Sequence, residues 1–182
     1  MSGEKPNLTA LASMPPYNID QPTLQTTPLI FASPHSGRDY PPDFVAKSQL
    51  DPVSLRRSED AFVDNLFAAA PSKGAPLIRA TFPRAFIDAN REPFELDQNM
   101  FSDRLPDYVN TKSGRVAAGL GTIPRIVSGG QEIYSEKLTF SEAAARIEAY
   151  YKPYHTALTE LINNVRKQFD YCVLVDCHSM PS

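Results

Sequence analysis

Two short apolar runs in this chain each stop on a His-Ser pair, and that repetition limits what the chain can build. The first, Pro28-Leu-Ile-Phe-Ala-Ser-Pro34, leads into His35-Ser36-Gly37; the second, Tyr171-Cys-Val-Leu-Val-Asp176-Cys177, leads into His178-Ser179. Runs of this length, rich in β-branched and aromatic residues, read as buried strands. In an open α/β sheet, ligands collect just beyond the carboxyl ends of such strands. Two of the chain's three histidines are delivered to that edge. With acidic residues nearby, they point to part of a metal site.

The rest of the chain supplies elements to pack around such strands. Residues 1–27, rich in Pro, Thr and Asn, read as a loosely packed arm, and the first strand spans about 28–34. A helix is predicted over 52–70: Pro52 suits its first turn, and Leu55, Phe62, Val63, Leu66, Phe67 and Ala70 recur at helical spacing. Pro71-Ser-Lys-Gly74 closes it, and Pro76 to Phe82 forms another strand that Phe86-Ile87-Asp88 would extend. Residues 93–135 carry few periodic apolar positions, so they read as a long irregular excursion with one hairpin around Gly119 to Tyr134. Excursions of that length are usually functional or disordered. A strong helix signal starts near 140, where Thr139-x-x-Glu142 fits a capping box. Ala144, Ile147, Tyr151, Leu158, Leu161, Ile162 and Val165 form its apolar stripe, and Pro153 should kink or divide it. Strand, helix, strand, insertion, helix, strand is the order of an α/β domain.

Taken alone, either His35 or His178 is better explained as a hydrogen-bonded residue in a strand-end turn. The pairing shifts the balance, with Asp176 and the Ser179 hydroxyl available as outer partners. Pro34 stiffens the approach to His35, and Gly37 lets the backbone turn tightly after it. A catalytic zinc usually has three protein ligands. The third donor is sought in Ser58-Glu59-Asp60-Ala-Phe-Val-Asp64, where Asp60 and Asp64 would share one helix face. A solvated acidic face near a helix start explains that cluster equally simply. Arg84, Asp88, Asn90 and Arg91 surround a short apolar core in the segment 83–93. Arginine's fork grips carboxylates, so an anionic small substrate is one reading and surface ion pairs are the other. His155, on the kinked helix, reads as a packed or solvent-facing residue.

Composition excludes several classes. A net charge of −3 without a basic cluster argues against nucleic acid. No apolar run approaches the roughly 20 residues of a membrane span, and residues 1–27 lack a signal peptide's apolar core, so a cytoplasmic location is expected. Cys172 and Cys177, five apart in one strand, would lie roughly 16–17 Å apart, beyond disulfide reach. They are expected to be reduced, structural residues, with Cys177 a weak candidate for a thiolate ligand or nucleophile. P-loop, Gly-x-Gly-x-x-Gly, Cys-x-x-Cys, His-Glu-x-x-His and Gly-x-Ser-x-Gly motifs are all absent.

Taken in order, six segments resemble the N-formylglutamate amidohydrolase family. They are Ser33-Pro-His35-Ser-Gly37, Ser58-Glu-Asp60-Ala-Phe-Val-Asp64, Arg84-Ala-Phe-Ile-Asp88-Ala-Asn-Arg91, Gly121-x-Ile-Pro124 with Gly130-x-x-Ile-Tyr134, Arg146 to His155, and Val175-Asp-Cys-His178-Ser. The resemblance implies a three-layer αβα sandwich with a mixed, mainly parallel sheet, like that of zinc carboxypeptidases. It implies one zinc per chain held by His35, Asp60 and His178. It also implies hydrolysis of the N-acyl amide of a small acidic amino acid, with formate and glutamate as products from N-formylglutamate. Arg84 and Arg91 become the catalytic candidates; Arg84, Arg91, Asn90 and Ser36 become the substrate-binding ones. The family's chains continue well past the Asp-Cys-His-Ser strand. Residues 28–182 are therefore expected to be an N-terminal, incomplete part of the amidohydrolase domain. The general base would lie in the missing part unless Glu59 or Glu92 reaches the site. Two other functions compatible with these residues are a non-catalytic ligand-binding domain of the same fold and a zinc amidase acting on a peptide or cell-wall amide.

Overall fold

The computed structural model describes residues 16–180. A four-stranded sheet forms its centre: β1 (Tyr17–Asp20), β2 (Leu29–Ser33), β3 (Leu77–Ala80) and β4 (Val173–Asp176), in the order β1-β3-β2-β4. β2 runs parallel to both β3 and β4, and β1 pairs antiparallel with β3. The mixed, mainly parallel sheet is the one expected, with one addition. Tyr17–Asp20, within the segment read as a loose arm, forms an edge strand, with Tyr17 opposite Ala80 and Asp20 opposite Leu77.

Alternation along β2 and β3 divides the core between two layers. Ile30, Ala32, Ile78 and Ala80 belong to the main core together with Tyr154, Ala157, Leu161 and Val165. Those four helical residues are spaced three and four apart on α6 (Lys152–Phe169), the stripe that seats a helix on a sheet. Phe31 faces the other way and meets Phe67, with ring centroids 5.7 Å apart; Leu77, Val63 and Ala70 are buried near that layer.

The helix predicted over 52–70 is broken into pieces. α2 (Pro52–Leu55) is capped by the Asp51 carboxylate, a 3-10 turn covers Arg56–Ser58, and α3 (Val63–Leu66) starts after Phe62, whose φ is +64°. Tertiary pairing overrides the apolar periodicity here: the Asp60 N–H donates to the His35 carbonyl at 3.0 Å, holding residue 60 in the loop beside the sheet edge. Phe86–Asp88 does not extend β3 either. Both Phe86 and Ile87 N–H groups turn back onto the Pro83 carbonyl, and Asp88 is carried under the strand ends. α1 (Pro42–Lys47) forms in a stretch for which the sequence predicts no element.

The 93–135 excursion is irregular as expected, yet it is well packed: Leu96, Met100, Phe101, Leu105, Ile123, Val127 and Ile133 are all buried. It contains α4 (Gly114–Ala117). Its hairpin is reduced to one antiparallel bridge, Ile126 to Glu132, closed around Gly129-Gly130, both in the left-handed region. The predicted capping box is present at the start of α5 (Phe140–Arg146). α5 runs into α6 without a break, through a wider π-helical turn at Ile147–Tyr151 that ends two residues before Pro153. Among the described residues, no helix is long and apolar enough to cross a membrane.

Candidate metal centre

Parallel register brings the two His-Ser segments together. Ala32 in β2 pairs with Asp176 in β4, so His35 and His178 leave adjacent strands at the same, carboxyl edge. Their ring centroids lie 4.8 Å apart. Asp60 comes from the loop before α3 and completes the group: one ligand atom each from His35, Asp60 and His178 lies within 4.8 Å of the others.

His35 is 2% exposed, and its Nε2 is 2.7 Å from Asp88 Oδ1. Its other nitrogen, Nδ1, is buried with no hydrogen-bond partner. Asp60 Oδ2 lies 3.6 Å from it, too far for a hydrogen bond but close enough to favour the imidazolium. Burial alone would lower the His35 pKa; the Asp60 and Asp88 carboxylates outweigh it and raise the value. His178 places Nδ1 2.8 Å from Asp60 Oδ2 and Nε2 2.9 Å from Asp176 Oδ2. Ser179 Oγ donates to Asp60 Oδ1 at 2.9 Å. Burial pushes the Asp60 pKa up, but His35, His178 and Ser179 pull it well below the usual carboxylate range.

This donor set fits a divalent cation. It holds two imidazoles and an ionised carboxylate, and one imidazole nitrogen, His35 Nδ1, is buried and orphaned 3.6 Å from Asp60 Oδ2. Each imidazole also has its second nitrogen on a carboxylate, Asp88 for one and Asp176 for the other, the outer arrangement that fixes a metal-binding histidine's ring and tautomer. Asp176 and Ser179 contact the His178–Asp60 pair, Asp176 through His178 Nε2 and Ser179 through Asp60 Oδ1.

Not every candidate reaches the centre. Asp64 does not share a face with Asp60; it is bonded to Arg38 at 2.7 Å, with Arg79 at 3.8 Å. Glu59 lines the same cavity as Asp60, where it accepts from Tyr40 Oη at 2.7 Å and from Arg56 at 3.0 Å. Glu92 lines a different cavity. Ser36 is 2% exposed, takes a hydrogen bond from Ser33 Oγ, and does not line the cavity beside Asp60. Cys177 is buried and its thiol is pushed up to about 11 by that burial, so it behaves as a structural residue. Both cysteines are free. His155 packs on Tyr151 and gives its Nε2 to the Ala89 carbonyl at 2.8 Å.

The cavity next to the centre has a volume of about 430 Å³ and is lined by Asp60, Arg84, Asp88, Leu120, Ser179 and neighbours. Arg84 is oriented there by Asp88, whose Oδ2 accepts from its Nε at 3.0 Å. Arg91 is more constrained: Nε donates to the Leu120 carbonyl, Nη1 to the Asn90 carbonyl, and Nη2 lies 3.5 Å from Asp88. Asn90 Nδ2 donates to Asp176 Oδ2 at 2.7 Å. A larger cavity of about 570 Å³, lined by Asp97, Arg125 and Glu132, lies elsewhere, and its arginine is already bonded to both acids. The role of Asp88 as the hub of His35, Arg84 and Arg91 escapes sequence reasoning, because 53 residues separate it from His35.

The family model for N-formylglutamate amidohydrolase matches residues 27–182. The chain belongs to that family. It is 27% identical over 157 residues to an N-formylglutamate deformylase of Pseudomonas putida and 26% identical to one of Pseudomonas aeruginosa. In each case 85% of this chain aligns with 52–53% of the relative, so the chain spans about half the length of the curated relatives it matches. The crystal structure of an N-formylglutamate amidohydrolase from Ralstonia eutropha superposes with a TM-score of 0.85 at 37% identity, over 92% of this chain and 59% of that one. A gene product from Agrobacterium tumefaciens, 20% identical with a TM-score of 0.59, shares the fold.

Proposed function

We propose that this chain carries the metal-binding part of an amidohydrolase that cleaves the N-formyl amide of N-formylglutamate, giving formate and glutamate. The observation that carries the reading is the convergence of His35 Nδ1, Asp60 and His178 at one sheet edge, with His35 Nδ1 buried and unpartnered. Family membership over residues 27–182 supports the substrate class. Residues 28–182 are assigned to the amidohydrolase domain, and 1–27 to an arm whose Tyr17–Asp20 segment completes the sheet.

His35, Asp60 and His178 would hold one zinc ion. A zinc in such a site lowers the pKa of a coordinated water and acts as a Lewis acid on the scissile carbonyl. Asp88 keeps His35 in the tautomer that leaves Nδ1 free to ligate, and it aims Arg84 into the cavity. Arg84, which lines the cavity, would grip a substrate carboxylate or stabilise the developing oxyanion. Arg91, committed to the Leu120 and Asn90 carbonyls, shapes the loop that holds Asn90 against Asp176. A second reading, binding without turnover, is favoured by Glu59: it lines the cavity but is already bonded to Tyr40 and Arg56, so it is poorly placed to act as base.

The test is elemental analysis of protein purified without chelators, followed by turnover assays that read formate release from N-formylglutamate and new free amine from a muramyl peptide. Near-stoichiometric zinc that is lost in His35→Ala and His178→Ala and retained in His155→Ala is the expected result. Turnover confined to N-formylglutamate supports the deformylase reading, turnover of the muramyl peptide supports a peptide or cell-wall amidase, and zinc without turnover of either supports the binding reading. A folded chain that takes up no zinc overturns both.

A further inference from the structure

The wide turn between α5 and α6 has a physical cause and a consequence for the metal centre. Pro153 has no N–H, and in a regular α-helix its ring would clash with the carbonyl four residues back, that of Ala149. The chain meets this with π-helical geometry over Ile147–Tyr151. Such single wide turns are often found at functional sites. Here the turn ends on Tyr151, and one helical turn later comes His155. Their rings pack with centroids 4.1 Å apart at a tilt of 35°, and Tyr154 meets His155 edge-on.

Both side chains donate to the same short loop. Tyr151 Oη donates to the Arg91 carbonyl at 2.6 Å, and His155 Nε2 donates to the Ala89 carbonyl at 2.8 Å. Burial lowers the His155 pKa, which keeps the ring neutral with Nε2 available as the donor. Between the two carbonyls sits Asn90. Its own carbonyl takes Arg91 Nη1, its N–H donates to Asp88 Oδ1, and its amide holds Asp176 Oδ2. Asp176 in turn is the partner of His178 Nε2. Asn90 Nδ2 also lies 2.9 Å from His178 Nε2, so the Asn90 amide borders both the carboxylate and the ring. When His178 ligates through Nδ1, Nε2 carries the proton and donates to Asp176, the carboxylate that the Asn90 amide fixes.

We propose that Tyr151 and His155 are positioning residues for the metal centre, acting through the Arg91 and Ala89 carbonyls to hold Asn90 against Asp176 and so set the His178 ring. The inference rests on the assignment of His35, Asp60 and His178 as the metal ligands. Neither residue touches the metal or the substrate.

The experiment is a chelator competition for zinc on the full chain, with Tyr151→Phe, His155→Leu, His155→Gln and Asn90→Ala, each checked for folding by circular dichroism. Tyr151→Phe and His155→Leu are expected to weaken zinc binding about tenfold, the lower end for outer-shell partners, without abolishing it. His155→Gln retains an amide donor and is expected to recover most of that loss, which a packing role would not produce. In the Asn90→Ala background the Tyr151→Phe effect should vanish, because its route to His178 is already cut. If Tyr151→Phe and His155→Leu fold and bind zinc like the wild type, the inference is wrong and the ligand assignment stands. If their losses persist undiminished in Asn90→Ala, the route through Asn90 is wrong. A wild-type chain that binds no zinc overturns the ligand assignment and the inference with it.

Discussion

Replacing Asp88 by asparagine removes a charge at almost constant volume, and the structure fixes what that does. The Asp88 side chain is 2% exposed and has His35 Nε2 at 2.7 Å, Arg84 Nε at 3.0 Å and Arg91 Nη2 at 3.5 Å. Asparagine keeps one oxygen, enough to accept from His35 or from the Asn90 N–H. Its NH2 group then faces guanidinium donors, so at least one arginine loses its carboxylate. Removing one partner from a buried ion pair costs about 3–5 kcal/mol; the retained acceptor puts Asp88→Asn near the lower end, about 3 kcal/mol in urea unfolding of the metal-free protein. Zinc affinity should fall about 10–100-fold, equivalent to about 1.4–2.7 kcal/mol, because a neutral amide raises the ligand basicity of His35 less than the carboxylate does and, with the arginines released, holds the ring less firmly. Asp64→Asn is the control. Asp64 is equally buried and paired with Arg38, but it lies off the metal centre, so its loss should lower stability and leave zinc affinity within about twofold. If Asp88→Asn binds zinc as tightly as the wild type, or if Asp64→Asn weakens binding as much, then His35 is not oriented by Asp88 and the assignment of its Nδ1 as the ligating atom fails.

Three further outcomes follow from single contacts. A Cβ on Gly37 would lie 2.1 Å from the Phe82 carbonyl oxygen, so Gly37→Ala should lose at least about 3 kcal/mol in urea unfolding and shift His35, two residues away, with weaker zinc binding as the second readout. Glu142 is opposed by burial, which raises its pKa, but the Lys47 ammonium and the Thr139 N–H outweigh that and lower it from 4.5. Its contribution is therefore present above about pH 4.5 and lost as pH falls below, so wild type should exceed Glu142→Gln by about 0.5 kcal/mol at pH 7 and converge with it by about pH 3. The Cys177 thiol, buried and pushed up to about 11, should resist alkylation at pH 8 in the native protein while Cys172 reacts faster, as peptide mapping after timed alkylation would show.

Where local pattern and tertiary demand coincide, the sequence is legible. β2, β3 and β4, the capping box at Thr139 and the apolar stripe of α6 all follow from apolar spacing and turn chemistry, and the two His-Ser strand ends meet because parallel strands share their register. Where the site makes its own demands, local pattern misleads. Leu55, Phe62, Val63 and Leu66 carry helical spacing, yet Asp60 must hang in a loop against the His35 carbonyl, and Phe62 takes a left-handed conformation to allow it. Gly37 is required by the close approach of the Phe82 carbonyl and not by a left-handed turn. Asp88 reads as the end of a strand, and only the fold-back onto Pro83 reveals it as the hub beneath His35.

Pro153 shows the same conflict between local pattern and tertiary demand. Read locally, it is a helix breaker, and the expected result is a kink or two separate helices. The chain instead accommodates the missing N–H with a wide turn and continues helically to Phe169. One residue more in that turn rotates everything after it by about 100° relative to a regular α-helix. That rotation decides whether Tyr151 and His155 address the Ala89–Arg91 loop or miss it. The same stripe that seats α6 on the sheet through Tyr154, Leu161 and Val165 must also keep this register, so core packing and the outer frame of the metal centre are set by one helix phase. A defect in the wide turn should therefore appear first as weakened metal binding, before the sheet-facing core is disturbed.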